Sequence, residues 1–464
     1  MTATPVPRHL AILGFARSGR SLARALLDRG IEVSIGDAKP ATAFPDAPEW
    51  RLRGVRFFFD GPIPAGGFLD GAEALVLSPG VPMTHPAVEE ARRRGLEVLA
   101  ELEVAWRILE AEASGDNRWI AVTGTNGKST TTAWLAEILR RAGGKVALAG
   151  NIGTPLSDSL GDRAPRQFVC EVSSFQLESI DRFHPDVAVV TNITPDHLDR
   201  YGSFADYASA KERIFRNQTG EDFAVINADD PAARGWGGLA RRVPFSRQVA
   251  VAGGVWVEDG WLCSAARGPA RRVLRADSLS LPGAHNLENA LAALAAADCA
   301  GAGEEAIRQG LTTFRGLPHR TELVAEAEGV RWVNDSKGTN VDATKKSLEG
   351  YAPGSVILIL GGRDKHGDFA ALEPAVRQTV RHILTIGEAA SAVERTLAGV
   401  VATERSGTMA RAVARAHELA RPGDTVLLSP ACASFDQFRD FEDRGEHFAS
   451  LARAACRAGV SHGA

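Results

Sequence analysis

The run Thr123-Gly-Thr-Asn-Gly-Lys-Ser-Thr130 has the residue types and order for phosphate chemistry. Gly124 and Gly127 allow a tight strand-to-helix turn, and phosphate oxygens are stabilised by the N–H groups exposed where such a helix begins. Lys128 is placed to reach the terminal phosphates of a nucleotide, and Ser129 to ligate magnesium. The general phosphate-loop pattern has a glycine where this chain has Val122, so the match rests on Gly-Lys-Ser between a strand and a helix. Nearer the N-terminus, Gly14-Phe-Ala-Arg-Ser-Gly19 follows the dinucleotide fingerprint except that Ala16 replaces its middle glycine. Asp37, after the second apolar run, suits a ribose hydroxyl and equally suits a helix cap.

Six further segments crowd polar groups. Glu171 follows Gln167–Cys170 and His197 follows Val187–Val190, near strand ends where open α/β sheets place ligands. With Gly150-Asn-Ile-Gly153 and Ala210-Lys-Glu-Arg213 they form an oxygen-rich set with one histidine, which suits Mg²⁺ or Mn²⁺ better than zinc. Asn334-Asp-Ser-Lys-Gly-Thr-Asn340 and Leu428-Ser-Pro-Ala-Cys-Ala-Ser-Phe435 sit likewise after strands, as a ligand-facing rim. Taken singly, each of these segments also fits turn and cap chemistry.

The elements that must position these groups alternate brief apolar runs with amphipathic stretches, the signature of parallel sheets with crossover helices. A first block has His9–Leu13 and Ile31–Ile35 as strands around a helix; Glu101–Glu112 is helical, and Ser114-Gly-Asp-Asn117 marks a linker or tight turn. A second block runs from the strand Trp119–Thr123 through Val187–Val190 and Phe223–Ile226 to a hairpin around Glu258-Asp-Gly260. A third, from Leu317, has strands at Val330–Val333, Val356–Leu360, Ile383–Ile386 and Thr425–Leu428. At 464 residues, with roughly 100–200 per domain, several domains are required.

The 44% apolar and 24% charged content excludes a disordered or fibrous chain. The 53 Lys and Arg against 57 Asp and Glu give no global basic field for nucleic acid, so any phosphate site is local. Five scattered cysteines without a Cys-x-x-Cys pair argue against a disulfide framework and fit a reducing cytoplasm. No run approaches the roughly 18 apolar residues of a membrane span, and the first seven residues lack a signal core. A cytoplasmic protein with no nucleic-acid or membrane partner is expected.

Gly124-Thr-Asn-Gly-Lys-Ser-Thr130, Glu171 to Glu178, His285-Asn-Leu-Glu-Asn289, Leu317-Pro-His-Arg320, Asn334-Asp-Ser-Lys337 and Ser429 to Ser434 together resemble the Mur ligase family, over essentially the whole chain. Ser78-Pro-Gly-Val-Pro82 with His85-Pro86, Asp196 to Tyr201, and Ser429 to Gly445 are most similar to the branch that adds D-glutamate. The resemblance implies an α/β protein of three domains. These are a Rossmann-like domain at 1–103 for a uridine-nucleotide substrate, a P-loop ATPase domain at 104–316, and a Rossmann-like domain at 317–464 for the amino acid. It also implies a reaction: the alanyl carboxylate of UDP-N-acetylmuramoyl-L-alanine attacks the γ-phosphate of ATP. The amine of D-glutamate then displaces phosphate from the acyl phosphate, and a monomer is expected to suffice.

Carried over by position, Gly124, Thr125, Asn126, Gly127, Lys128, Ser129 and Thr130 bind ATP, with Asn289 at adenine and Arg320 and Asp335 closing on the nucleotide. Ser129 and Glu171 hold one Mg²⁺, and His197 helps hold a second. Lys211 falls where the family carries a lysine carbamylated by CO₂, an anionic oxygen ligand in place of a repelled cation. Arg17, Ser18, Asp37, Gly80 and Asn151 match contacts to the sugar nucleotide. Thr339, Lys365, Ser434 and Phe441 match contacts to glutamate, Lys365 being the cation that a dicarboxylate needs. The chain departs from the family at Ala16 and at Ala38, which stands where a hydroxyl residue can assist.

Other readings stay open on sequence. A sister ligase would add a different amino acid, or L-glutamate; a folylpolyglutamate synthase shares the ATPase logic but usually lacks the first domain. A dehydrogenase or a non-catalytic nucleotide sensor needs neither Gly-Lys-Ser nor a lysine placed for carbamylation.

Overall fold

Short apolar runs buried on both faces build three open sheets in the computed structural model, which describes residues 7–59, 65–113, 116–161, 166–197, 200–364 and 367–460. The chain divides into two compact units, Met1–Phe314 and Arg315–Ala464.

The first sheet is parallel throughout, in the order Arg56–Phe58, Glu32–Gly36, His9–Leu13, Ala74–Leu77, Glu97–Ala100. Strand alternation explains its two cores: Leu10 and Ile12 pack with Leu22, Leu26 and Ile35 on one face, while Ala11 and Leu13 pack with Leu75 and Leu77 on the other. The chain order reverses between His9–Leu13 and Ala74–Leu77, so a crevice opens beyond Leu13. There the helix Arg17–Leu27 comes down directly on the turn, because a Cβ at Gly19 would sit 2.1 Å from the Gly14 carbonyl oxygen.

The second sheet runs Val146–Gly150, Gln167–Glu171, Arg118–Thr123, Val187–Val190, Phe223–Asn227, Arg241–Ser246, Val255–Glu258, all parallel. Trp261–Ser264 and Arg271–Arg275 extend it antiparallel. The expected hairpin forms with Trp256 opposite Cys263, and Asp259 and Gly260 both take positive φ (50° and 75°), as a two-residue turn between twisted strands requires. Ile120 and Val122 face a core shared with Trp134, Leu135 and Ile138 of the helix Lys128–Arg141, and Trp119 and Ala121 face the opposite core. Val122 is thus a strand residue inside the core, and the loop turns only after Thr123.

In the second unit the order is Glu322–Ala327, Val330–Asn334, Thr425–Leu428, Val356–Gly361, Val380–Ile386, Ala402–Gly407, antiparallel only in the first pair. Among the described residues no helix is long and apolar enough to cross a membrane.

Candidate active site

The loop after Arg118–Thr123 is clamped by the neighbouring strand's exit. Thr125 N–H donates to the Asn192 carbonyl at 2.7 Å and Asn126 N–H to Asn192 Oδ1 at 2.9 Å. Thr191 Oγ1 and Asn192 Nδ2 both donate to the Asn126 carbonyl, at 2.6 and 3.1 Å. Gly127, at φ 79°, caps the helix with no side-chain hydrogen bond to its first N–H groups, the groups that an anion at a helix N-terminus would use. A Cβ there would lie 2.1 Å from Asn289 Oδ1, which brings Asn289 from the helix Ala284–Cys299 to the loop's edge. Asn289 accepts from Thr131 Oγ1 at 3.3 Å. Lys128 arches back over the loop, its Nζ donating to the Thr125 carbonyl at 2.8 Å.

Three predicted groups meet at this loop. Glu171, 2% exposed, ends the strand Gln167–Glu171; its Oε1 accepts from Asn151 Nδ2 at 2.7 Å, and its buried Oε2 has no partner. Such an orphaned carboxylate oxygen is costly unless something absent from the protein alone satisfies it. Lys211, also 2% exposed, lies in the helix Phe204–Glu212 and donates to the Gly124 carbonyl at 2.8 Å. Burial, and then the cation of Lys128, hold the Lys211 ammonium well below the ordinary lysine range, against the opposing pull of Asp196 and Glu171. Ser129 is buried in the first turn of the helix.

His197 stands at the side of this group. Its backbone is left-handed (φ 51°), its N–H donates to Asp196 Oδ1 at 2.9 Å, and its ring is 4.9 Å from that of Phe175 and 6.4 Å from that of Tyr207. Among the described residues no three of His, Cys, Asp and Glu converge as a metal cage, so any cation held here relies on hydroxyl and other oxygens as well. Tyr207 is a member that sequence reasoning missed: its hydroxyl shares a 3.1 Å hydrogen bond with Thr125 Oγ1, and Lys211 Nζ lies 4.9 Å from its ring centre. The signal was available, since Tyr207 and Lys211 are four apart on one helix face.

Arg17 and Ser18 open the helix above the first sheet. Asp37 is committed to that turn: Oδ2 accepts from Phe15 N–H at 2.7 Å and Oδ1 from Lys39 N–H at 3.0 Å. Gly80 is exposed, at φ 100°, in the turn that Val81 N–H closes on the Ser78 carbonyl at 3.2 Å. Asn151 joins the sugar-nucleotide set to the metal set through its bond to Glu171.

In the second unit, taken by itself, three loops converge. Asp335, 6% exposed, accepts from Thr321 N–H at 3.2 Å and from Ser429 Oγ at 2.8 Å, and burial pushes its carboxyl up to about 6. Arg320 lies in the turn just before Thr321, with its N–H on the Leu317 carbonyl at 3.2 Å. Thr339 is part-exposed on the same rim, Ser434 is buried, and Phe441 opens the helix Phe441–Val460 with Lys337 Nζ 5.4 Å from its ring. Lys365 lies outside the described residues, as do Asp199 and the linker residues Ser114 and Gly115.

Arg444 was not legible as a site residue. It is fully buried and donates to Ser336 Oγ and carbonyl (2.9 and 2.8 Å) and to the Cys432 carbonyl (3.1 Å), and burial lowers it to about 10. It ties the Asn334 and Ser429 loops together.

Three family models match the chain: the MurD-like N-terminal domain of Mur ligases over residues 8–100, the Mur ligase middle domain over 122–297, and the Mur ligase glutamate ligase domain over 319–432. The UDP-N-acetylmuramoylalanine–D-glutamate ligase of Pelotomaculum thermopropionicum is 42% identical over 96% of this chain and 97% of its own length. That of Anaeromyxobacter dehalogenans is 43% identical over 97% and 98%. Among solved structures, UDP-N-acetylmuramate-alanine ligase MurC from Thermotoga maritima aligns with a TM-score of 0.58 at 19% identity, covering 97% of this chain and all of that one. MurF from Acinetobacter baumannii aligns at 0.57 and 17%, covering 94% and 98%. At these identities the two structures speak to the fold alone.

Proposed function

Because this chain belongs to the Mur ligase family, we propose one reaction for the groups described above. It is an ATP-dependent ligase that joins D-glutamate to UDP-N-acetylmuramoyl-L-alanine in peptidoglycan precursor synthesis, through an acyl phosphate, releasing ADP and phosphate. The observation that carries the reading is the convergence of Glu171, with its orphaned buried oxygen, and Lys211, with its buried amine, on the Gly124–Lys128 loop.

A carboxylate that attacks a triphosphate meets charge repulsion, and the residues present answer it. The N–H groups exposed at Gly127 and beyond receive phosphate oxygens. Lys128, tethered to the Thr125 carbonyl, is held at the loop, where its cation faces the terminal phosphates. Asn289, pressed against Gly127, orders the adenine side. Asn151 reaches the sugar nucleotide and fixes Glu171 so that one carboxylate oxygen stays free.

The donor set fits Mg²⁺: hard oxygens from Ser129 and Glu171 for one ion, with His197 and a carbamylated Lys211 for a second. When bound, such ions would neutralise phosphate charge. The lowered ammonium of Lys211 favours its neutral amine, whose lone pair adds to the carbon of CO₂; the nitrogen loses a proton and an anionic carbamate results. On the sugar-nucleotide side, Arg17, Ser18, Asp37 and Gly80 hold the uridine diphosphate. In the second unit, Thr339, Lys365, Ser434 and Phe441 hold glutamate, and Arg320 and Asp335 serve the nucleotide. The enzyme works as a monomer in the cytoplasm, where ATP and sugar-nucleotide precursors are available.

The deciding experiment is coupled ADP release with UDP-N-acetylmuramoyl-L-alanine, ATP, Mg²⁺ and bicarbonate, offered each glutamate enantiomer, diaminopimelate, lysine and a folate in turn. Release that needs the sugar nucleotide and D-glutamate supports the reading. Release with another amino acid, or none at all, refutes it.

A further inference from the structure

Arg200, three residues after His197, reaches from the middle domain to the turn that follows the strand Ala74–Leu77 of the first sheet. Its Nη2 donates to the Val81 carbonyl at 3.0 Å and to Glu178 Oε2 at 2.6 Å, and Nε approaches Glu178 Oε1 at 3.4 Å. The guanidinium lies 4.1 Å from the centre of the Phe175 ring, which in turn packs on His197 with ring centres 4.9 Å apart. The backbone N–H groups of Arg200 and Tyr201 both donate to the His197 carbonyl, at 2.9 and 3.0 Å. Arg200 is therefore fixed to the His197 turn by its main chain and, through Phe175, by its side chain.

At the other end, Val81 closes the Ser78 turn beside Gly80, and Ser78 Oγ donates to the Gly14 carbonyl at 2.9 Å. That turn belongs to the proposed sugar-nucleotide side. A cavity of about 520 Å³ lined by Pro82, Met83, Glu178, Arg200, Tyr201 and Arg213 borders the contact. Val81 and Met83 pack on the N-terminal core from one side, and the guanidinium's hydrogen bond holds the turn from the cavity side. A partly buried ion pair would need only Glu178; the third bond, to a main-chain carbonyl of the other sheet's loop, is what a pair alone leaves unexplained. A planar fork can make all these bonds while seated over a ring, which a lysine ammonium does poorly, so lysine is a poor substitute.

Resting on the function proposed above, we propose that Arg200 is a positioning residue that sets the register of the Ser78–Val81 turn against the His197 turn. Beside the contacts of Ser21 with Ser157 and Asp158, the bond of Arg200 to the Val81 carbonyl links the sugar-nucleotide turn itself to the His197 turn.

The test uses the full chain with Arg200→Met, Arg200→Lys and the double variant Arg200→Met/Glu178→Gln, which strands no buried carboxylate. Hydrogen exchange of the amides at 78–85 reports the tie directly. Losing a charge-assisted bond should speed exchange and raise the sugar-nucleotide KM by about tenfold, with the ATP KM unchanged and Arg200→Lys in between. The double variant should keep the defect. Unchanged exchange at 78–85 overturns the proposal, as does recovery of the KM in the double variant, which would place the defect in stranded Glu178. Equal losses for all three substrates with a lowered melting temperature also overturn it, as a merely structural role. If the unaltered chain released no ADP, the functional reading would fail, while the exchange measurement would still decide the tie.

Discussion

Asp335→Asn should stabilise the second unit at neutral pH while harming the reaction. Asp335 is buried with no arginine or lysine bonded to it; its partners are the Thr321 N–H and the Ser429 hydroxyl, and burial pushes its carboxyl from 3.8 up to about 6. The sign follows from linkage: the folded unit holds the proton more tightly than the unfolded chain. The stabilising contribution is whole below pH 3.8 and is lost as pH rises through about 6. At about 1.4 kcal/mol per tenfold change in proton affinity, the folded unit gives up roughly 3 kcal/mol over that window. Asparagine removes the ionisation and can keep both bonds. Its oxygen takes the Thr321 N–H, and its amide donates to Ser429 Oγ, whose own proton turns to Thr344 Oγ1, 3.1 Å away. The gain should be near zero at pH 4 and reach roughly 3 kcal/mol by pH 7, or about 5–10 °C in melting temperature for a unit of this size. The assay is native-state hydrogen exchange of the strands Val356–Gly361 and Thr425–Leu428 in the full chain, variant beside parent, from pH 4 to 7. A stability difference that stays flat with pH, or that widens toward acid, refutes the reasoning. In coupled ADP release the same variant should show a raised KM for ATP.

Lys128→Ala should lower ADP release by about 10²-fold or more, since a group that stabilises transferring phosphoryl charge is gone; near-normal turnover would overturn its role. Gly127→Ala forces a side chain into left-handed backbone and drives a methyl group against Asn289 Oδ1. The backbone term alone, about 1–2 kcal/mol, should raise the ATP KM or lower the melting temperature, and a variant unchanged in both would contradict the loop geometry. With ¹³C-bicarbonate, Lys211 should give a carbamate carbon signal, absent from Lys211→Ala, and CO₂-free buffer should depress turnover. Bicarbonate-independent turnover with no such signal would remove the carbamate from the mechanism.

Much of the architecture was legible because its determinants are local. The runs at His9–Leu13, Trp119–Thr123, Val187–Val190 and Val356–Leu360 are apolar on both faces and fold as interior parallel strands. Glycines at the strand exits announced the turns, and Gly-Lys-Ser announced the helix that opens at Lys128. What stayed hidden was set by packing between distant segments. Asn151 selects which oxygen of Glu171 is left free, and Tyr207 ties the Lys211 helix to Thr125.

Residue types and spacing alone determined that the chain has a strand, a glycine loop and a helix in succession, polar groups at strand ends and alternating α/β elements. These depend on neighbours within a few positions. Only the tertiary structure decided that the Lys211 ammonium is held well below the ordinary lysine range, that Asp335 sits buried without a bonded cation, and that Arg444 and Arg200 bridge loops 108 and 119 residues away. Desolvation and hydrogen-bond partnership are properties of surroundings, and those surroundings exist only once remote segments have packed together.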